Sequence, residues 1–213
     1  MKIALINGSP KKSKSASGIL LDTFKPFLNA EHRFSSFTVN KTFLEDEQID
    51  SLFDHDIWVF AFPLYADGIP SHLLHVLTTL EKHAHLKGNP QIAVYTFVNC
   101  GFYEGHQNAP AIEMMKNWCT KSGLVWKQGL GIGAGGMLSI LKKDSVGHGP
   151  LKNLGTAFET LAMHIDQNTG ANPLFITANF PRIAYKLAGE YGWRQSAKAN
   201  GLKTKALFRK CQP

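Results

Sequence analysis

The chain has little cysteine, no long apolar run and no carboxylate in its first loop. Cys100, Cys119 and Cys211 form neither a C-x-x-C pair nor an even set, which argues against a disulfide framework and suits a reducing compartment. No apolar stretch nears the ~18 residues of a membrane span, and MKIALINGSP is broken by turn residues too early to act as a signal peptide. A soluble, cytoplasmic protein is therefore expected. Nine histidines include the pairs His72 with His75 and His83 with His85, but no carboxylate stands at the spacing of H-E-x-x-H, so no metal site is expected.

Two familiar phosphate-binding signatures are also missing. The Walker A pattern needs a second glycine, yet Gly8 is followed at that spacing by Ser13, Lys14 and Ser15. The apolar run Ile57 to Phe62 ends in Pro63, where such enzymes place a magnesium-binding Asp. The fingerprint G-x-G-x-x-G is absent after the first strand, and Gly131, Gly133, Gly135 and Gly136 give only a partial echo of it late in the chain.

What remains is organised around Lys2 to Leu21. Ile3 to Ile6 is a continuous apolar run of the kind buried on both faces of a parallel sheet, and Asn7, Gly8, Ser9 and Pro10 end it by turn chemistry. From Ser9 to Ser17 the loop offers four hydroxyls and the lysines Lys11, Lys12 and Lys14, then enters a helix bearing Leu20, Leu21, Phe24, Phe27 and Leu28. The first amides of a helix lack intrahelical acceptors and carry the positive end of its dipole, so this loop suits a phosphate. An ordinary serine N-cap beside solvated lysines is the less favoured alternative. Pro26 should kink or end the helix.

The same grammar repeats along the chain. Arg33 to Val39 reads as a strand nearer the sheet edge and Glu45 to Phe53 as a short helix. Ile57 to Phe62 (IWVFAF) is the most hydrophobic stretch and reads as a central strand; its loop runs to Pro70, which suits a helix first turn ahead of Leu73, Leu74, Leu77 and Leu80. Ile92 to Val98 is a strand, NCGFYEGHQ a loop, and Ile112, Met115 and Cys119 mark a helix. Val125 to Ile132 is a further strand leading into GIGAGGML, and Leu151 to Ile165 a long amphipathic helix. With 44% hydrophobic residues in 213, the chain should bury roughly 70% of its unfolded surface. The expected fold is α/β, a doubly wound parallel sheet of about five strands with helices on both faces, over residues 1–172. Residues 173–213 are expected to form a C-terminal helical, basic extension of the same domain.

In such sheets ligands bind beyond the carboxyl ends of the strands, where the winding reverses, so the loops at Ser9, Pro63 and Asn99 should converge. They offer a phosphate site, the apolar and aromatic surface of Leu64 and Tyr65, and Asn99, Gly101 and Phe102. A planar aromatic ring on a phosphorylated tail fits this set, and FMN fits it better than ATP. Tyr65 read otherwise is a turn aromatic packed on the core, Phe102 is equally open to a structural role, and Cys100 reads more readily as a small buried residue than as a redox thiol. Glu104 and His106 read as solvated side chains more readily than as a proton relay.

These residues also carry a resemblance. GSPKKSKSAS, PLYADGIPSHL and NCGFYEG are similar to the phosphate loop and two ring-binding loops of the flavodoxin-like NAD(P)H-dependent FMN reductase and quinone reductase superfamily, over residues 1 to about 140. The resemblance implies Ser9, Lys11, Ser15, Ala16 and Ser17 at the phosphate, Pro63, Leu64, Tyr65 and Ala66 along the ring, and Asn99, Gly101 and Phe102 at its polar edge. Many members carry an arginine where Lys11 and Lys12 stand; lysine keeps the charge without the bidentate geometry. The implied activity is hydride transfer from NAD(P)H through bound FMN to a quinone or other small acceptor, with no side chain as nucleophile, and the implied assembly is a homodimer. Two alternatives are an electron-carrier flavodoxin, whose usual acidity contrasts with a net charge of +7 here, and a nucleotide-binding regulatory module without flavin.

The net charge of +7 admits nucleic acid but equally suits phosphorylated cofactors or an anionic surface, and no nucleic-acid partner is expected; the charge is diffuse up to about residue 180 and denser after it. Asn179 and Pro181 offer a helix start, and Phe180, Ile183, Ala184, Leu187, Ala188 and Tyr191 form an apolar stripe. Docking of this helix on the domain or on a partner subunit is expected; anchoring to a membrane surface is the alternative.

Overall fold

The computed structural model describes residues 1–137 and 146–209; Leu138, at the end of the glycine-rich run, and Lys210 and Cys211 lie outside them. Six strands, β1 (Lys2–Asn7), β2 (Arg33–Thr38), β3 (Ile57–Pro63), β4 (Ala93–Asn99), β5 (Val125–Ile132) and β6 (Leu174–Ile176), form one sheet in the order β2-β1-β3-β4-β5-β6. Every pairing is parallel. The chain winds outward from β1 to β2, then returns to place β3 on the other side of β1, so the reversal lies between β1 and β3. This is the flavodoxin-like arrangement, with one strand more than the five expected.

The helices are α1 (Ala16–Phe24), α2 (Asp46–Phe53), α3 (Ser71–Leu86), α4 (Ala109–Ser122) and α5 (Lys152–Asp166). Their boundaries follow local chemistry. Ser15 caps α1 by accepting from the Gly18 amide, and the helix gives way to a 3-10 turn at Lys25–Phe27, where Pro26 stands. Glu45 and Gln48 form a reciprocal capping box on α2. α4 ends at Gly123 in the left-handed conformation, φ 68°.

Because side chains alternate across a strand, the fully buried strands feed two cores. Ala4, Ile6, Trp58, Phe60, Phe62, Val94 and Val98 face a cluster with Leu73 and Leu77 of α3 and Met115 and Trp118 of α4. Ile3, Leu5, Val59, Ala61, Tyr95 and Phe97 face the other, with Phe24 of α1 and Phe158 and Leu161 of α5. The indole N–H groups of Trp58 and Trp118 donate to Leu52 O and Leu77 O, each at 2.9 Å, so neither large ring is buried with its polar atom unpaired. Compact units run Met1–Ala178 and Asn179–Pro213; β6 belongs to the first, and α6 (Arg182–Ala199) to the second.

Candidate functional site

The carboxyl ends of β1, β3, β4 and β5 are held level by the sheet register, with Asn7 opposite Ala61, Pro63 opposite Asn99 and Asn99 opposite Ile132. The loops that leave them enclose a cleft of about 240 Å³ lined by Ser9, Lys11, Lys14, Ala16, Ser17, Pro63, Leu64, Tyr65, Asn99, Cys100, Gly101, Gly135 and Gly136. Two lysines and no carboxylate stand in that lining.

In the first loop, Asn7 organises the turn. Its Oδ1 accepts from the Ser9 amide at 3.1 Å, and its Nδ2 donates to Ser15 Oγ at 3.2 Å. Ser9 Oγ in turn accepts from the Lys11 amide at 3.4 Å. A Cβ on Gly8 would sit 2.6 Å from Leu73 Cδ2 of α3 and 3.2 Å from Phe62 Cβ, so a larger residue there would have to displace the Leu73 side chain. The loop is thereby folded so that Ala16 and Ser17, whose amides have no intrahelical acceptor, line the cleft beside Lys11 and Lys14. The positive end of α1 thus faces a basic, carboxylate-free wall.

The second loop continues from Pro63 into Leu64, whose amide donates to Asn99 O at 2.8 Å. Tyr65 and Gly68 exchange both backbone hydrogen bonds across Ala66 and Asp67, which both have positive φ, 46° and 57°. Two such residues make the tight mirror-image turn of hairpins, and it presents Tyr65, 45% exposed, at the cleft wall.

The third loop is tied to the first. Ser17 Oγ donates to Asn99 Oδ1 at 3.0 Å, and both side chains are buried. Next to it, Cys100 is buried and accepts from Asn108 Nδ2 at 3.4 Å. Burial pushes its thiol pKa up, against the opposing pull of hydrogen bonds, so the group is a neutral thiol at pH 7. A Cβ built on Gly101 or on Gly136 meets no atom within 4 Å, so at both positions backbone borders open cleft space.

Of the twelve residues singled out in the sequence, nine line the cleft: Ser9, Lys11, Ala16, Ser17, Pro63, Leu64, Tyr65, Asn99 and Gly101. The other three stand outside its lining. Ser15 serves as the helix cap, Ala66 occupies the strained corner of the turn, and Phe102 is 53% exposed. Lys14, Cys100, Gly135 and Gly136 also line the cleft, although the sequence offers Lys14 only as one of the loop lysines, Cys100 as a small buried residue and the two glycines as a partial fingerprint. Lys14 and Cys100 are sequence neighbours of residues singled out, but the two glycines reach the cleft only because β5 pairs beside β4.

No protein-family model matches the chain, and no curated protein matches it in sequence. Solved structures match its fold. An NADH:FMN oxidoreductase in its apo form aligns with a TM-score of 0.56 at 14% identity, covering 86% of this chain and 97% of that one. An NADPH-quinone reductase from P. pentosaceus gives 0.53 at 13% identity over 80% and 100% of the two chains. A flavodoxin, WrbA-like protein from Agrobacterium tumefaciens gives 0.53 at 12% identity over 78% and 95%. The fold implied by the sequence resemblance is thus the fold this chain has.

Proposed function

We propose that the chain binds FMN in this cleft and carries a hydride from NAD(P)H to a quinone or another small acceptor. The observation that carries the reading is the convergence, at the reversal point of a flavodoxin-like sheet, of a basic helix N-terminus with an apolar and aromatic wall. Lys11, Lys14 and the amides of Ala16 and Ser17 would hold the phosphate, the lysines acting as point charges and the amides as directed donors. Pro63, Leu64 and Tyr65 would carry the ring, and Asn99, with Gly101 and Gly136, its polar edge, where absent side chains leave the backbone approachable. FMN itself, when bound, supplies the two-electron chemistry; the chain supplies binding, orientation and exclusion of water. No nucleophile or acid–base pair is asked of the protein.

The test is a pair of fluorescence titrations. FMN should bind at least tenfold to a hundredfold more tightly than riboflavin, since each hydrogen bond to the charged phosphate is worth ~1.5 to 3 kcal/mol. Replacing Lys11 and Lys14 together by Gln should erase most of that difference while leaving riboflavin affinity alone. Equal affinities for FMN and riboflavin would overturn the assignment of the loop.

A further inference from the structure

The unit Asn179–Pro213 differs from the rest of the chain in charge. Its 35 residues hold eight of the 23 Lys and Arg and one of the 16 Asp and Glu, which is the whole of the formal net charge of +7. The preceding residues balance at fifteen of each sign. Along the eighteen residues of α6 only Ala197 is buried. Ile183, Leu187 and Tyr191 recur every four residues and so share one face, and they are 76%, 60% and 65% exposed. Trp193 is 71% exposed, and Phe208, in the 3-10 segment Thr204–Phe208, is 75% exposed. Arg194 and Lys198 continue the row begun by Ile183, so one side of the helix is apolar at its start and cationic at its end. Glu190, the one acid, pairs with Arg194 at 3.6 Å.

We propose that this unit binds the surface of an anionic lipid bilayer, with α6 lying along it. The idea is independent of the flavin reading. The exposed row of Ile183, Leu187 and Tyr191, continued by Arg194 and Lys198, sets apolar side chains beside concentrated positive charge and matches the boundary where acyl chains and phosphates lie within a few ångströms of each other. Lys and Arg can lay their stems on the apolar layer and keep their charged ends at the headgroups. A helix of eighteen residues is about 27 Å long, enough to span several headgroups. Among the described residues no helix is long and apolar enough to cross a membrane, so the contact is peripheral. A second copy of the same unit is a poorer occupant, because it would bring two surfaces of like charge together.

The experiment uses the full chain and sedimentation with vesicles of phosphatidylcholine alone or with roughly a third phosphatidylserine. Binding is expected to the anionic vesicles, little to the neutral ones, and to fall with added salt. Lys203→Gln with Lys205→Gln should weaken it by about 25-fold, at about fivefold per charge removed. Leu187→Asp should weaken it by at least about tenfold through lost apolar burial. The charge variant touches no buried group, so it remains informative if the second perturbs the helix. Equal binding to both vesicle types, or full affinity in the charge variant, would overturn the proposal. So would binding to duplex DNA or self-association through Leu187 in a chain that ignores anionic vesicles.

Discussion

Ser17 stands where two loops meet. Its hydroxyl donates to Asn99 Oδ1 at 3.0 Å, and the pair is buried between the start of α1 and the end of β4. The sequence assigned that hydroxyl to a phosphate; the structure gives it an acceptor within the protein. Ser17→Ala leaves the buried oxygen of Asn99 short of a donor, at a cost of about 1 to 3 kcal/mol. The loss should therefore register twice, as a lower midpoint in thermal or chemical denaturation and as roughly tenfold weaker FMN binding once Asn99 is no longer held. Weaker binding without any change in stability would mean that the hydroxyl meets the ligand directly.

Among the elements, the 3-10 turn Gly105–Asn108 shows what the late glycines are for. It lies on the ends of β5 and β6, and a Cβ at Gly105 would fall on the Ile176 carbonyl oxygen and 2.6 Å from that of Gly131. At Gly133 a Cβ would fall on Tyr103 O and 2.7 Å from Gly105 N. The obstacles are backbone atoms, which cannot rotate aside, so Gly105→Ala should destabilise the protein by about 3 kcal/mol. A urea midpoint unchanged from that of the parent would show that this packing tolerates a methyl group. In the sequence Gly131 and Gly133 read as part of a partial echo of a dinucleotide fingerprint and Gly105 as a loop residue, because a backbone contact between residues 103–105 and 131–133 leaves no local mark beyond the glycine itself. β6 leaves little trace in the sequence for a similar reason. Leu174–Ile176 is three residues long, and its pairing with Leu130–Ile132 is set by distant chain. By contrast β1, β3 and β4 were legible because burial on both faces demands unbroken apolar runs, and α2 because its capping box is local.

At the scale of the whole molecule, topology turns a one-dimensional pattern into a site. Asn7, Pro63 and Asn99 are far apart in sequence but end three parallel strands whose register sets Asn7 opposite Ala61 and Pro63 opposite Asn99, at one edge of the sheet. Once strand direction and order are fixed, the basic loop, the aromatic wall and the glycine edge have to meet. Most of the cleft could therefore be read from strand ends alone, while Gly135 and Gly136 required knowing that β5 pairs beside β4. Flavin reduction by a nicotinamide is the claim on which the functional reading turns, and anaerobic mixing of the FMN-loaded protein with NADPH or NADH tests it most directly. Bleaching of the flavin absorbance, straight to the two-electron reduced form with little radical and without a second protein, is the expected result. Reduction no faster than that of free FMN under the same conditions would contradict it and leave an electron carrier or a regulatory module in its place.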